Sequence, residues 1–144
     1  MRELVVIDGQ GGGVGRSIVT ALRAELGDQA EIVALGTNST ATVAMHRAGA
    51  TRSATGENAI RIGCSRASVI VGTIGIISPH AMMGELTPPM AEAVALAAAP
   101  KVLIPLNRCN LLVAGCAAPT LASAIAEGVA MAARLYREQN ETMY

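Results

Sequence analysis

The sequence predicts an α/β domain: a doubly wound, mostly parallel sheet with helices on both faces. Three observations carry that prediction. Short β-branched runs alternate with stretches of helical apolar spacing along the 144 residues. The segments between them are short, as crossover connections in such sheets are. The first run also ends in a glycine cluster that opens a helix. A strand order of 3-2-1-4-5 is expected, within one domain spanning residues 1–144.

Leu4 to Ile7 reads as a buried parallel strand, uninterruptedly apolar and stopped by Asp8-Gly9. Val14, Ile18, Leu22 and Leu26 then recur at helical spacing, with Arg16 and Arg23 left for solvent and Gly27 as C-cap. Glu31 to Leu35 is the second strand. Ser39 or Thr40 is placed to cap a helix that Gly49 closes. Ala50 to Ala54 is read as the third strand, and Thr55 as the N-cap of a helix holding Asn58, Ile60 and Ile62. Val69 to Gly72 is the fourth strand, followed by a loop from Thr73 to Gly84. Thr87-Pro88-Pro89 starts a helix that runs to Ala99, because proline is tolerated in a first turn and Pro100 stops it. Lys101 to Leu106 is the fifth strand and Leu111 to Val113 a short sixth. Pro119 opens a last, alanine-rich helix to about Arg137, leaving Glu138 to Tyr144 as a frayed tail.

Composition narrows the function classes. Tyr136 and Tyr144 are the only aromatic residues, so the core is aliphatic and rich in small side chains that bury little area each. A homo-oligomer, in which a partner supplements that core, is therefore expected. Eleven basic residues balance eleven acidic ones, which argues against a nucleic-acid binder. No apolar run has the length of a membrane span, and the opening residues lack the apolar region of a signal sequence. Three cysteines, an odd number, fit a reducing compartment better than a disulfide scaffold. A cytoplasmic protein without a membrane partner is expected.

The segment Gly9-Gln10-Gly11-Gly12-Gly13-Val14-Gly15 is the most informative, with five glycines in seven residues between a strand and a helix. Glycines permit positive φ and let backbone N–H groups approach a ligand. The helix N-terminus adds unpaired donors and a positive dipole end suited to phosphate. The spacing fits G-x-x-x-G-x-G at Gly9, Gly13 and Gly15, as in short-chain dehydrogenases. It fails G-x-G-x-x-G, and it fails the P-loop, where Arg16 stands in place of lysine. The Tyr-x-x-x-Lys pair of short-chain dehydrogenases is absent. A glycine-rich turn that only packs a helix on a sheet is the alternative, although one glycine would serve for that.

Asp8, just before the loop, would repel a pyrophosphate unless it binds a metal, caps loop N–H groups or reaches a hydroxyl. A dinucleotide site usually has an acid at the end of its second strand. That place holds Gly36-Thr37-Asn38 instead, where Thr37 and Asn38 can hydrogen-bond a ribose or a 2′-phosphate, with charge from Arg47 or Arg52. This leans towards NADP over NAD and weakens the dinucleotide reading as a whole.

Further polar segments fall at expected C-terminal strand ends: Thr55 to Asn58, Thr73 to Gly75, Ser78 to His80 and Asn107 to Asn110. The loop after the fourth strand should face the glycine loop across the switch point. Thr73 and Gly75 are therefore candidate cofactor-binding residues beside Gly9 to Gly15, Thr37 and Asn38. His80, Glu57 and Asp8 are candidate acid–base groups, and Asn58, Asn107, Arg108 and Asn110 candidate substrate-binding residues. Bland readings stand beside each. His80 can simply face solvent, Glu57 and Glu85 can answer helix dipoles, and Cys109 can be an inert buried thiol. Met45, Met82, Met83 and Met90 can be core filler. Arg47, Arg52, Arg61 and Arg66 can form a solvated face. His80 and Glu85 could share a metal, but two ligands make no metal signature.

The stretches Asp8 to Gly15 (D-G-Q-G-G-G-V-G), Ala34 to Asn38, Ala54 to Ala59 and Ile104 to Asn110 resemble, in order, a small bacterial family of about this length, a domain of unknown function. The resemblance implies a Rossmann-like nucleotide-binding fold and carries no reaction. The functional expectation is a Rossmann-like protein that binds a nucleotide, foremost NAD(P), through its glycine loop, with an oxidoreductase as the natural enzyme. The alternatives are a non-catalytic sensor of a nucleotide or small anionic, phosphorylated metabolite, and a small metal-dependent lyase or isomerase using Asp8, Glu57 or His80.

Overall fold

The computed structural model describes residues 2–106, 110–116 and 120–142. Five strands form one parallel sheet: β1 (Glu3–Asp8), β2 (Ile32–Gly36), β3 (Arg52–Thr55), β4 (Ala67–Thr73) and β5 (Lys101–Ile104). Their order is β3-β2-β1-β4-β5, with every pairing parallel. The connections carry helices α1 (Gly13–Leu26), α2 (Ser39–Arg47), α3 (Glu57–Arg66) and α4 (Pro88–Leu96), and α5 (Leu121–Glu141) follows β5.

Alternation along β1 explains the two layers. Leu4 and Val6 face one side, where they pack with Ile18 and Leu22 of α1, Met45 of α2 and Ala132 and Tyr136 of α5. Val5 and Ile7 face the other, against Ile60 and Cys64 of α3 and Met90 and Val94 of α4. Both faces are covered, so β1 is apolar without interruption and all four of those residues are at most 1% exposed. Reversal of the chain between β2 and β4 leaves the C-terminal ends of β1 and β4 as neighbours, with the β1–α1 loop above them.

Several local expectations are corrected. Asn38, not Ser39 or Thr40, caps α2: its side chain accepts from Ala41 N at 2.9 Å. Thr55 ends β3 and its hydroxyl meets that of Thr42 at 2.7 Å, while Gly56 takes the cap position of α3 at φ 103°. The third strand begins at Arg52, not Ala50. Helix α4 stops at Leu96, short of Ala99; Pro100 disfavours helix in the residue before it, and Lys101 Nζ donates to the carbonyls of Ala95 and Ala97. Strand β5 stops at Ile104, and Leu111 to Val113 form no sixth strand. Leu112 there is 85% exposed, too exposed to be held by a buried sheet edge.

The last helix continues through Glu141, so residues 138–141 do not fray. Gln139 Nε2 donates to Ser68 O at 3.0 Å and Arg137 binds Glu25, tying this end to β4 and α1. Arg23 does not project into solvent. Its guanidinium donates to the carbonyls of Gly27, Ala30 and Gly49 and to the Thr51 hydroxyl, fastening the end of α1 to the starts of β2 and β3. Among the described residues no helix is long and apolar enough to cross a membrane.

Candidate functional site

The β1–α1 loop is shaped by its own hydrogen bonds. Gly12, the N-cap of α1, has φ 73°, in the left-handed region that glycine tolerates. Its N–H donates to Gly9 O at 2.9 Å, and its carbonyl accepts from Arg16 N at 2.8 Å. A Cβ at Gly12 would lie 2.7 Å from Ala41 Cα, so the starts of α1 and α2 are in backbone contact.

Asp8 is 7% exposed, and its Oδ2 accepts from Gly15 N at 2.7 Å. Of the three roles open to it, capping a loop N–H is the one its contacts display. Burial pushes its pKa above the usual aspartate value, and the nearby Glu85 charge adds to this; the Gly15 and Gly9 N–H groups oppose it.

The N–H groups of Gly11, Gly13 and Val14 have no hydrogen-bond partner among the described residues. They border a cavity of about 430 Å³, within the range of small-molecule sites. Its floor is Asp8 and residues 9–14, and its far wall is Thr73, Ile74 and Gly75 from the end of β4. Ala81, Met82, Met83 and Leu106 supply an apolar side. Thr73 is 6% exposed and lines the same cavity, and its hydroxyl likewise has no partner among the described residues. A hydroxyl and three amides that open on one cavity without a protein partner are groups a ligand can pair with.

The segment after β4 is built tightly. Ile74–Ile77 is a 3₁₀ turn rather than open loop, and Ile76 and Leu86, fully buried, pin both ends of the stretch. Between them His80, Met82 and Met83 hold φ of 70°, 59° and 56°, a costly conformation for residues with a Cβ. The result directs Glu85 towards the glycine loop. Its Oε1 accepts from Gln10 N at 2.9 Å, Thr37 Oγ1 at 2.7 Å and Asn38 Nδ2 at 2.6 Å. These donors, with that of Gln10 foremost, hold its pKa below the usual glutamate value. Asn38 Nδ2 also donates to Gln10 O at 2.9 Å, so three loops meet at one carboxylate.

The structure thus gathers part of the predicted set. Gly9, Gln10, Gly11, Gly12, Gly13, Val14, Asp8, Thr73 and Gly75 line one cavity, and Gly15 abuts it through Asp8. Thr37 and Asn38 lie beside it, engaged with Glu85. Glu57 accepts from the Thr87 hydroxyl at 2.7 Å and borders, with Asn58, a separate groove between α3 and α4. His80 is exposed and does not line the cavity. Asn110 is exposed; Asn107, Arg108 and Cys109 lie outside the described residues. Arg52 sits at the start of β3, paired with Glu3 and Glu31 at the opposite end of the sheet, and supplies no charge to the β2 end. Asp8, Glu57 and His80 are not brought together, and no cluster of three or more metal-binding side chains occurs among the described residues.

Sequence reasoning missed the place of Glu85 and the lining role of Met82 and Met83. The available signal was their position in the loop after the fourth strand, which had to face the glycine loop.

The family model of a domain of unknown function (DUF3842) matches residues 3–137. The chain belongs to that family. The DUF3842 match runs from the first residue of β1 into the last third of α5, so it takes in every strand and the whole glycine-loop cavity. No curated protein and no solved structure matches the chain.

Proposed function

We propose that the protein binds a nucleotide, or a small metabolite of similar size, by a phosphate seated on the N–H groups of Gly11, Gly13 and Val14. The observation that carries this reading is the coincidence of unpaired donors and space: three loop amides and the Thr73 hydroxyl border the same 430 Å³ cavity. The dipole of α1 favours an anion there. The apolar side formed by Ile74, Met82 and Leu106 suits a ring or sugar face. NAD(P) is the fullest version of this reading, because the cavity lies at the topological switch point.

A non-catalytic sensor is the second version. What favours it is that Asp8 is the one titratable side chain among the described residues lining the cavity. Hydride transfer needs no titratable partner at the cofactor itself, so an oxidoreductase stays within the proposal. Residence in the cytoplasm fits the free thiols of Cys64 and Cys116. Assembly with a second copy fits the exposed Leu96 of α4 and Leu121 and Met131 of α5; sedimentation showing only monomer at micromolar concentration would refute it.

The test is a thermal-shift and calorimetric titration with AMP, NAD, NADP and phosphosugars. A ligand at 100 times its Kd should stabilise the fold by about 2.7 kcal/mol. No shift and no heat from any of them would remove the proposal.

A further inference from the structure

We infer that the Gln10 N–H of the β1–α1 loop, together with the Thr37 hydroxyl and the Asn38 amide at the end of β2, forms an anion subsite that Glu85 of the same chain occupies, so that the neighbouring glycine-loop site accepts a bare ribose and refuses one bearing a 2′-phosphate. The selectivity rests on the nucleotide reading above; the occupied subsite does not.

Three donors from two loops converge on one oxygen, at 2.6 to 2.9 Å. Donors alone, without an acid or a cation between them, are the arrangement that recognises an external phosphate oxygen. Here the acceptor comes from a residue 47 to 75 positions away in the chain. The region is also closed sterically. A Cβ on Gly9 would lie 2.5 Å from Thr37 Oγ1, 2.6 Å from Met82 Sδ and 3.3 Å from Glu85 Oε1.

In sheets of this topology the end of the second strand is where an adenosine ribose is read, and a carboxylate there accepts its 2′-hydroxyl. Glu85 restores in space the acid that Gly36-Thr37-Asn38 lacks in sequence. Its Oε1 is saturated, while its Oε2 has no partner among the described residues and can accept a ribose hydroxyl. A 2′-phosphate would meet a fixed negative charge and find its donors taken. The lean towards NADP that residues 36–38 suggest is thereby reversed.

AMP and 2′,5′-ADP differ only in the 2′-phosphate and are the direct probes, titrated by calorimetry into the full chain, Glu85→Gln and Glu85→Ala. The expected result is AMP binding about tenfold or more tighter than 2′,5′-ADP to the unaltered protein, with that ratio collapsing in Glu85→Gln and reversing in Glu85→Ala. Equal affinities in the unaltered protein, or a ratio that Glu85→Gln leaves unchanged, would overturn the selectivity. A second arm is independent of the nucleotide reading. In Gly13→Asp/Glu85→Ala, inorganic phosphate should shift the Gln10 backbone amide and the Asn38 side-chain amide in NMR spectra, and in Gly13→Asp alone it should not. Failure of the unaltered chain to bind AMP would strike the proposed function. Absence of the phosphate shifts in the folded double variant would strike the subsite itself. Should Glu85→Ala unfold, Gly13→Asp/Glu85→Ser serves in its place, because its short side chain cannot reach the three donors and leaves them free for the incoming anion.

Discussion

Replacement of Gly13 by aspartate separates binding from folding more cleanly than any other change in the loop. A Cβ at Gly13 meets nothing within 4 Å, and its φ is not in the left-handed region. It is the first residue of α1, where a carboxylate gains about 0.3–1 kcal/mol from the helix dipole. Loss of glycine from the helix adds about 0.5–1 kcal/mol. Gly13→Asp should therefore melt at or above the temperature of the unaltered protein. The ligand experiences the opposite. A carboxylate about 5 Å from a bound phosphate, at an effective dielectric constant of about 20, costs roughly 3 kcal/mol, about two hundredfold in Kd. Gly13→Ala should share the gain in stability and hold AMP within a few-fold of normal. Calorimetry and thermal melts on the three proteins decide the matter. Unchanged AMP affinity in Gly13→Asp would refute the seat of the phosphate, and a large drop in melting temperature would refute the open space at this position.

Arg23→Ala should destabilise the fold by about 2–3 kcal/mol in denaturant titration, since three carbonyls and the Thr51 hydroxyl lose a charged donor. Arg23→Lys should recover less than half of this, because one ammonium cannot span those acceptors. Burial raises the Cys64 thiol to about 11, so at neutral pH iodoacetamide should label exposed Cys116 and leave Cys64 untouched until the protein unfolds; equal labelling rates in the native state would contradict the packing of α3.

The architecture was legible because its signals are local. A parallel strand covered on both faces must be apolar at every position, and Leu4 to Ile7 is. The glycine cluster after Ile7-Asp8 marks a turn into a helix, and the contact of Gly12 with Ala41 is one close backbone approach that it permits. What was missed depends on contacts between distant segments. Leu111 to Val113 has the composition of a strand, yet it pairs with none of the five strands and Leu112 stays 85% exposed. Residues 138–141 look like a solvated tail until Ser68 O is seen to accept from Gln139. Arg23 has the spacing of a surface residue on α1, and only the proximity of Gly49 and Ala30 converts it into a brace. Glu85 is the same case at the site: its place after the fourth strand turns it towards the glycine loop, but its convergence with Gln10, Thr37 and Asn38 is set by contacts 47 to 75 positions apart.

Two carboxylates flank a loop that is otherwise arranged for an anion, and they answer pH in opposite directions. Asp8 has a raised pKa in the folded chain, so the unfolded state loses its proton first. Its contribution to stability is fully present below the usual aspartate value and is lost as pH rises through the raised value. Glu85 has a lowered pKa, so its contribution is present above the usual glutamate value and is lost as pH falls through the lowered one. Measured against Asp8→Asn, the unaltered protein should therefore lose relative stability on going from strongly acidic to neutral solution; measured against Glu85→Gln, it should gain. A bound phosphate sharpens the difference, because a dianion near Asp8 favours the protonated carboxyl and raises its pKa further. Ligand binding should then take up a proton, seen as a binding enthalpy that varies with the ionisation enthalpy of the buffer. Asp8→Asn should abolish that variation, whereas Glu85→Gln, whose carboxylate is held ionised by three donors, should leave it intact. The same buffer dependence in Asp8→Asn as in the unaltered chain would place the proton elsewhere and separate Asp8 from the phosphate.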